Sequence, residues 1–263
     1  MTLLKKVMLA GCVAMVLVAG TMVAQAAEGE VDIAVNSEYV WRGQVLNDEA
    51  VIQPSITVST DYGLSFNTWG SFNTSDALGE KTDKEFTEMD LEVSYALPVE
   101  AVNMEIGVGE YTFPHSEEMT EEGGFAFSEG TREVFFSIGV DKVVSPSVKV
   151  SYDFDEAEGF YAVAGLDHNI GLIEDTLDLD LGLFAGFASS DYNAYYYGVD
   201  DDALNDGGVS LTLNYAVSEA FSLSANLQYV KLLDSDIEDA ATEYYLNEDD
   251  GETFGGVTAC YTF

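Results

Sequence analysis

The side chains in this sequence that could take part in chemistry are mostly carboxylates. The 263 residues contain 48 Asp and Glu, 9 Lys and Arg and 2 His, which gives a formal net charge of -39 at pH 7. The two histidines, His115 and His168, are too few for a histidine-rich metal site, and no H-E-x-x-H, G-x-S-x-G or glycine-rich phosphate-binding motif occurs. We therefore expect no enzyme, cofactor or metal site, with a Ser/His/Asp hydrolase built around His115 as an alternative.

The charge balance also excludes one class of partner. Nucleic-acid binding needs a basic stripe that displaces counterions from phosphates, and this sequence has none. Its 47% hydrophobic and 12% aromatic residues are too many for a disordered acidic chain. The sequence therefore predicts a folded domain that does not bind nucleic acid.

Residues 1–26 differ in composition from the rest. Lys5 and Lys6 precede the uncharged apolar run 7–23, and Ala24-Gln25-Ala26 has the small-x-small pattern of a signal-peptidase site. We expect a signal peptide over residues 1–26 and an exported domain over residues 27–263. A retained anchor helix and a lipoprotein cleavage before Cys12 are the alternatives. Removing the leader leaves Cys260 as the only cysteine, so no internal disulfide is predicted.

After the leader, apolar and polar residues alternate, as they do in strands with two unlike faces. Between residues 176 and 185, for example, four leucines alternate with Asp178, Asp180 and other residues. Most segments are longer than the roughly 5–6 residues of globular strands and suit the roughly 9–11 of tilted membrane strands. The twelve predicted strands are 31–42, 51–60, 63–73, 86–97, 103–112, 131–141, 146–154, 158–168, 176–188, 207–216, 221–232 and 253–263.

The predicted connections alternate in length. Long ones follow odd-numbered strands (74–85, 113–130, 189–206 and 233–252), and two shorter ones in the same class, 43–50 and 155–157, do not break the pattern. Short ones follow even-numbered strands (61–62, 142–145 and 217–220), with 169–175 somewhat long for its class. A transmembrane barrel has short turns at one end, longer loops at the other and an even strand number, which a soluble β-sandwich does not require. We therefore predict an all-β fold, a transmembrane antiparallel β-barrel of about twelve strands in the bacterial outer membrane of a Gram-negative envelope.

If the apolar faces meet lipid, the opposite faces line the interior. The candidate pore-lining residues are Asp32, Glu38, Arg42, Asp90, Glu92, Glu105, Lys149, Asp153, Asp167, Asp178 and Asp180. This excess of carboxylates over bases would concentrate cations and repel anions. The alternative is an ordinary polar interior in which Arg42 and Lys149 pair with adjacent acids. About eight strands leave a filled interior and 16–18 an open channel, so twelve predict a narrow or partly plugged pore.

Acidic and aromatic residues concentrate near the predicted strand ends. The acids are Glu117, Glu118, Glu121 and Glu122, then Asp200, Asp201, Asp202 and Asp206, then nine between Asp234 and Glu252. We interpret them mainly as a solvated, mutually repelling surface, and hypothesise that divalent cations bridge them to lipopolysaccharide. Their spacing matches no EF-hand loop. The aromatics predict girdles at the membrane interfaces; they include Tyr39, Trp41, Trp69, Phe72, Tyr192, Tyr195 to Tyr197, Tyr244, Tyr245, Tyr261 and Phe263.

Two stretches, residues 37–55 and 63–71, resemble the TorF-type porin family of exported outer-membrane barrels, also described as conserved proteins of unknown function. In that family a Tyr-Val/Phe-x-Arg-Gly element closes the first strand, and a hairpin with a Trp-Gly-like second arm follows. The matching residues here are Tyr39, Arg42, Gly43, Trp69 and Gly70. The ending Tyr261-Thr262-Phe263 is similar to the terminal strand that the outer-membrane assembly machinery reads. Membership implies a pore and brings no substrate with it.

The sequence thus predicts a porin-like channel for passive diffusion of small solutes, with a preference for cations. The expected partners are outer-membrane lipid, lipopolysaccharide, the assembly machinery and small solutes or cations. The alternatives are a closed structural or adhesive barrel with acidic outer loops, a barrel hydrolase and a soluble β-sandwich binding protein.

Overall fold

A computed structural model describes residues 27–75, 84–114, 130–248 and 251–263. These residues form strands β1 (Ala27–Asn36), β2 (Tyr39–Trp41), β3 (Gln44–Asn47), β4 (Val51–Thr60), β5 (Leu64–Asn73), β6 (Phe86–Ala96), β7 (Asn103–Thr112), β8 (Gly130–Gly139), β9 (Ser145–Asp153), β10 (Phe160–Ile173), β11 (Leu177–Ala188), β12 (Ala203–Ala216), β13 (Phe221–Leu232) and β14 (Glu252–Thr262). Two helices, α1 (Ser190–Tyr197) and α2 (Ser235–Tyr244), lie in connections. The predicted signal peptide, His115 and the acids Glu117, Glu118, Glu121 and Glu122 fall outside the described residues.

Twelve of the strands in the described part of the chain close into one antiparallel barrel, with β1 joined to both β4 and β14. Along the closing seam Val31 lies opposite Tyr261 and Val35 lies opposite Val257. Closure pairs the backbone groups of every barrel strand and leaves no sheet edge. The predicted all-β fold of about twelve strands is confirmed, and a β-sandwich is ruled out.

The outward face of the barrel is an apolar surface. Ile33, Leu183, Leu227 and Val257 on four different strands are 51%, 52%, 55% and 58% exposed. Large apolar side chains with this exposure would be costly in water, and a continuous apolar outer band is typical of barrels that sit in lipid. The residues between them on each strand point inward and are mostly small or polar. The period-two alternation of the sequence is thus the alternation between these two faces.

The first predicted strand, 31–42, is wrong in its bounds. β1 ends at Asn36, and the chain then turns into the barrel as an inward hairpin made of β2, β3 and their turn, residues 39–47. All four residues of β3 are buried. Arg42 and Gly43 in the turn have φ of 49° and 82°, the left-handed pair that a tight two-residue hairpin turn requires. A Cβ at Gly43 would lie 2.6 Å from a methyl group of Leu232, so the turn is wedged against the wall.

The short-turn end and the long-loop end of the barrel differ as the sequence predicts. β10 continues to Ile173, so the link to β11 is shorter than the predicted 169–175. At the long-loop end, α1 begins at the N-cap Ser189 and α2 at the N-cap Asp234. Their buried residues form the apolar core of this end with Tyr161, Ala188, Ala203 and Leu232 from the wall. Among the described residues, no helix has the length and apolar character to cross a bilayer.

Candidate functional site: the barrel interior

The wall strands place nine of the predicted pore-lining residues on the inward face. These are Asp32 on β1, Asp90 and Glu92 on β6, Glu105 on β7, Lys149 and Asp153 on β9, Asp167 on β10, and Asp178 and Asp180 on β11. Glu38 and Arg42 differ, because they belong to the segment that enters the barrel and not to a wall strand. The eleven residues therefore do not form one ring, and they separate into groups with different surroundings.

Arg42 lies at the tip of the inward hairpin and is held by the wall. Its two terminal nitrogens donate to the two carboxylate oxygens of Glu133 on β8, at 2.7 and 2.6 Å, and one also donates to the Tyr192 hydroxyl of α1 at 3.2 Å. The guanidinium carbon lies 4.4 Å from the ring centre of Trp41 and 4.6 Å from that of Tyr161. Two parallel hydrogen bonds are the geometry in which Arg binds a carboxylate most strongly. The two aromatic rings add cation–π attraction to the guanidinium.

The electrostatics of the hairpin follow from this burial. Burial alone would lower the pKa of Arg42, but the neighbouring Tyr192 and the charge and hydrogen bonds of Glu133 outweigh it, so its pKa lies well above its usual value. Glu38 has the opposite surroundings. Burial, and then the nearby carboxylates led by Glu252, raise the pKa of Glu38.

Other contacts fix the inward hairpin along its whole length. The Tyr197 hydroxyl donates to the Arg42 carbonyl at 3.3 Å, and the Asn247 amide donates to the Gly43 carbonyl at 2.7 Å. Asn247 also accepts from the Val45 N–H at 3.0 Å. Residues from α1 and from the chain after α2 therefore bind the hairpin backbone. The sequence prediction missed Glu133 and Asn247, and assigned Tyr192 to a girdle, because all three lie far from the hairpin along the chain.

Several aromatic residues predicted as girdles lie inside the barrel, and that prediction is wrong for them. The ring of Tyr39 packs on Trp69, 5.4 Å between centres, and Trp41 packs on Tyr111 at 6.1 Å and on Tyr196 at 5.6 Å. Alternation cannot separate the two cases, because an aromatic at a strand end can face either side. Phe72 does point outward and packs edge-to-face on Phe86.

Asp153 faces inward but is occupied by local structure. It is fully buried, accepts a hydrogen bond from the Thr131 hydroxyl at 2.8 Å, and accepts the backbone N–H groups of Asp155 and Glu156 at 3.0 Å each. These bonds close the turn after β9, as Asp often does at turns. Asp153 is therefore a structural residue, and its assignment as pore-lining is corrected.

Asp178 and Asp180 form a polar group near the short-turn end. The amide of Asn169 donates to Asp178 at 2.8 Å and to Asp180 at 2.7 Å, and the amide of Asn214 donates to the same two carboxylates at 3.0 and 2.6 Å. Amides orient carboxylates without neutralising them. The two amides therefore hold both carboxylates in place on the inward face.

Two adjoining cavities lie in the part of the interior that the described residues enclose. The larger, about 710 Å³, reaches the short-turn end at Leu97 and Val102 and is bordered by Glu105 and Asp167. The smaller, about 350 Å³, lies against the tip of the inward hairpin. Lys149, Val163 and Phe184 border both, so the two cavities follow one another along the barrel axis. The Lys149 ammonium lies 3.9 Å from the ring centre of Phe135.

The remaining predicted residues lie at the edges of this arrangement. Tyr261 and Phe263 face outward at the short-turn end with stacked rings, and Phe263 covers Gly29. Gly70 faces outward against Phe86. His168 hydrogen-bonds the Val143 carbonyl near a turn. Among the described residues, the ligand atoms of Glu30, Asp32 and Cys260 lie within 4.8 Å of one another and could hold one metal ion.

Comparisons with known proteins agree with this architecture. A family model described as "Bacterial protein of unknown function (Gcw_chp)" matches residues 24–242. No curated protein matches the chain in sequence. The structure resembles the KdgM porin with a TM-score of 0.53 and 9% identity, over 89% of this chain and 99% of that chain. It resembles the NanC porin with a TM-score of 0.50 and 8% identity, over 88% and 98%. A structure of the KdgM porin in complex with disordered oligogalacturonate gives 0.52 and 10%, over 89% and 99%. At these identities the likeness shows a shared fold.

Proposed function

We propose that this protein, which belongs to the Gcw_chp family of bacterial proteins of unknown function, is an outer-membrane channel for passive diffusion of small solutes that prefers cations. The observation that carries the proposal is the closed barrel with an apolar outer face and adjoining cavities inside. A closed barrel satisfies its backbone hydrogen bonds within lipid, and a polar interior offers solutes a path through it. The TorF-type resemblance of residues 37–71 is part of this proposal.

The preference for cations rests on the charges around the larger cavity and at the short-turn end. Glu92, Glu105, Asp167, Asp178 and Asp180 face inward and form no ion pair with any described residue. Lys149 is the basic side chain near them, whereas Arg42 is neutralised by Glu133. A surplus of one sign on low-dielectric walls raises the local concentration of the opposite sign. Oligogalacturonate, bound by the KdgM porin, is a polyanion, so this interior does not suit it.

The inward hairpin limits the size of the solutes. It brings Trp41, Arg42 and the surrounding aromatic rings into the barrel, next to a cavity of about 350 Å³. A passage bordered by these side chains is narrow, in keeping with a twelve-stranded barrel. We therefore place the constriction of the channel at the hairpin tip, and the acidic vestibule at the short-turn end.

The membrane partners follow from the outer surface. The apolar band meets outer-membrane lipid, and Tyr261 and Phe263 form the terminal signal for the assembly machinery. Asp200, Asp201, Asp202 and the acids near α2 lie at the long-loop end, where divalent cations could bridge them to lipopolysaccharide. These assignments belong to the proposal, together with export by the signal peptide over residues 1–26.

Single-channel recording tests this function. The refolded domain, residues 27–263, is inserted into a planar bilayer under a KCl gradient. We expect discrete conductance steps and a reversal potential of the sign set by K⁺ permeation. Silent bilayers from a barrel whose folding is shown by heat-dependent gel mobility would contradict the channel, and an anion-selective potential would contradict the charge argument.

A closed structural barrel is the second candidate, because one observation favours it. The long-loop end is filled by the inward hairpin, α1 and α2, which form a continuous core. In that case the acidic loops would act on partners at the cell surface and the interior would carry no current. The same recording separates the two candidates.

A further inference from the structure

The smaller cavity has the composition of a ligand site. Five aromatic side chains border it from different directions: Trp41 from the inward hairpin, Tyr111 from β7, Tyr161 from β10, Phe184 from β11 and Phe254 from β14. Its volume of about 350 Å³ lies at the low end of the roughly 300–1,000 Å³ of small-molecule pockets. Apolar rings with a few polar groups between them are the usual lining of such pockets.

The polar groups of this cavity are available for a ligand. Gln228 borders it from β13, and its amide has no hydrogen-bond partner among the described residues. Lys149 borders it from β9, and its ammonium contacts the Phe135 ring but donates no hydrogen bond to a described residue. Asp206 borders it from β12, and one of its carboxylate oxygens accepts the Tyr161 hydroxyl at 2.7 Å. Donors and acceptors thus surround the aromatic faces.

The charges here are balanced, in contrast to the rest of the interior. Arg42 is paired with Glu133, and Lys149 and Asp206 contribute one charge of each sign. A net cation gains nothing from this balance and neither does a net anion. A neutral molecule with hydroxyl groups at its rim and apolar C–H faces fits both the rings and the polar groups.

We propose that the smaller cavity binds a neutral sugar of one or two rings. The sugar stacks a C–H face on Phe184 or Trp41, and its hydroxyls bond the Gln228 amide and the Lys149 ammonium. This inference rests on the proposed function only in that sugars must enter the interior. It gives the channel a binding subsite at its constriction.

Fluorescence of Trp41 tests binding without requiring conduction. The chain has two tryptophans, Trp41 and Trp69, so the Trp69→Phe variant reports on the cavity alone. The refolded barrel in detergent is titrated with glucose, with maltose and with glucuronate, the anionic analogue of glucose. We expect a saturable change with glucose or maltose and none with glucuronate.

Two substitutions on one strand give a matched pair. Phe184→Ala removes a ring from the cavity and should weaken binding about tenfold. Phe187→Ala removes the same side chain from the outer face of β11, where it packs on Phe160, and should leave binding unchanged. Gln228→Ala should weaken binding by a smaller factor, and heat-dependent mobility shows that each variant folds.

Other binding results would overturn the inference. Saturation by glucuronate in place of the neutral sugars would make this an anion site led by Lys149. A linear response to every sugar, or equal weakening by Phe184→Ala and Phe187→Ala, would show that no subsite exists. A protein that binds sugar but carries no current would refute the proposed channel and leave the subsite intact, so the two failures are distinguishable.

Discussion

Replacing Arg42 by Met should release the inward hairpin from the wall. The substitution keeps most of the side-chain length but leaves Glu133, only 2% exposed, without its partner. Removing one member of a buried ion pair costs about 3–5 kcal/mol, because the remaining charge is buried uncompensated. The lost cation–π contacts with Trp41 and Tyr161 add about 1–2 kcal/mol. Even about 3 kcal/mol would raise the population of the undocked hairpin about 100-fold.

Two assays measure this release. Single-channel conductance should rise because the constriction widens, and acrylamide should quench Trp41 more strongly in a Trp69→Phe background. The double variant Arg42→Met/Glu133→Gln removes the uncompensated charge of Glu133. Its changes in conductance and quenching should therefore be smaller than the sum of the changes in the two single variants. Arg42→Lys keeps the positive charge but cannot form the two parallel hydrogen bonds. Its conductance and quenching should therefore lie between those of Arg42→Met and the unmodified protein.

Arg132, the residue before Glu133 in the chain, supplies the control. Arg132 is on the outer face of β8, about half exposed, and pairs with Glu110 at 2.9 Å and Asp155 at 3.1 Å. Exposed pairs contribute little, so Arg132→Met should change neither assay. Unchanged conductance and unchanged quenching in a folded Arg42→Met barrel would refute the reasoning, because the hairpin would then be held without its ion pair.

Three further changes test other parts of the structure. Asp178→Asn with Asp180→Asn should lower the K⁺ to Cl⁻ permeability ratio measured from the reversal potential in a KCl gradient, and an unchanged ratio would remove these residues from the selectivity argument. Gly43→Ala should destabilise the docked hairpin by about 1–3 kcal/mol, because φ is 82° there and the added methyl meets Leu232. The conductance should rise as for Arg42→Met, and wild-type conductance would show that the turn relaxes without undocking. Brominated lipids should quench neither Trp41 nor Trp69, because both lie inside the barrel; strong quenching in liposomes would restore the girdle interpretation.

The barrel could be predicted because its signal is local. One face of each wall strand contacts lipid and the other faces the interior, so apolar and polar residues alternate along the strand. The predicted ranges 51–60 and 221–232 therefore agree with β4 and β13. The first strand failed because Tyr39 and Trp41 continue the period-two spacing of Ile33 and Val35 while the chain has already turned inward. The positive φ of Arg42 and Gly43 marks that turn, and Arg-Gly is a weaker turn signal than Asn-Gly.

The contacts of the interior could not be predicted in the same way. Arg42 and Glu133 are 91 residues apart, and the hairpin backbone is bonded by Asn247, 204 residues from Gly43. Only barrel closure and the inward turn bring these groups together. The charge of Arg42 predicts that it pairs with an acidic residue. Which acid it pairs with depends on the register of β8 against its neighbours.

The inward carboxylates divide into two sets, one that affects conductance and one that affects ion preference. Those at the long-loop end are engaged, Glu133 with Arg42, Asp153 with its turn and Asp206 with Tyr161. Those towards the short-turn end, Glu92, Glu105, Asp167, Asp178 and Asp180, form no ion pair with a described residue. Changes in the first set should therefore alter conductance through the position of the hairpin and leave ion preference nearly constant. Changes in the second set should alter ion preference and leave the constriction in place, because charges on the vestibule wall set the local ion concentration without contacting the hairpin.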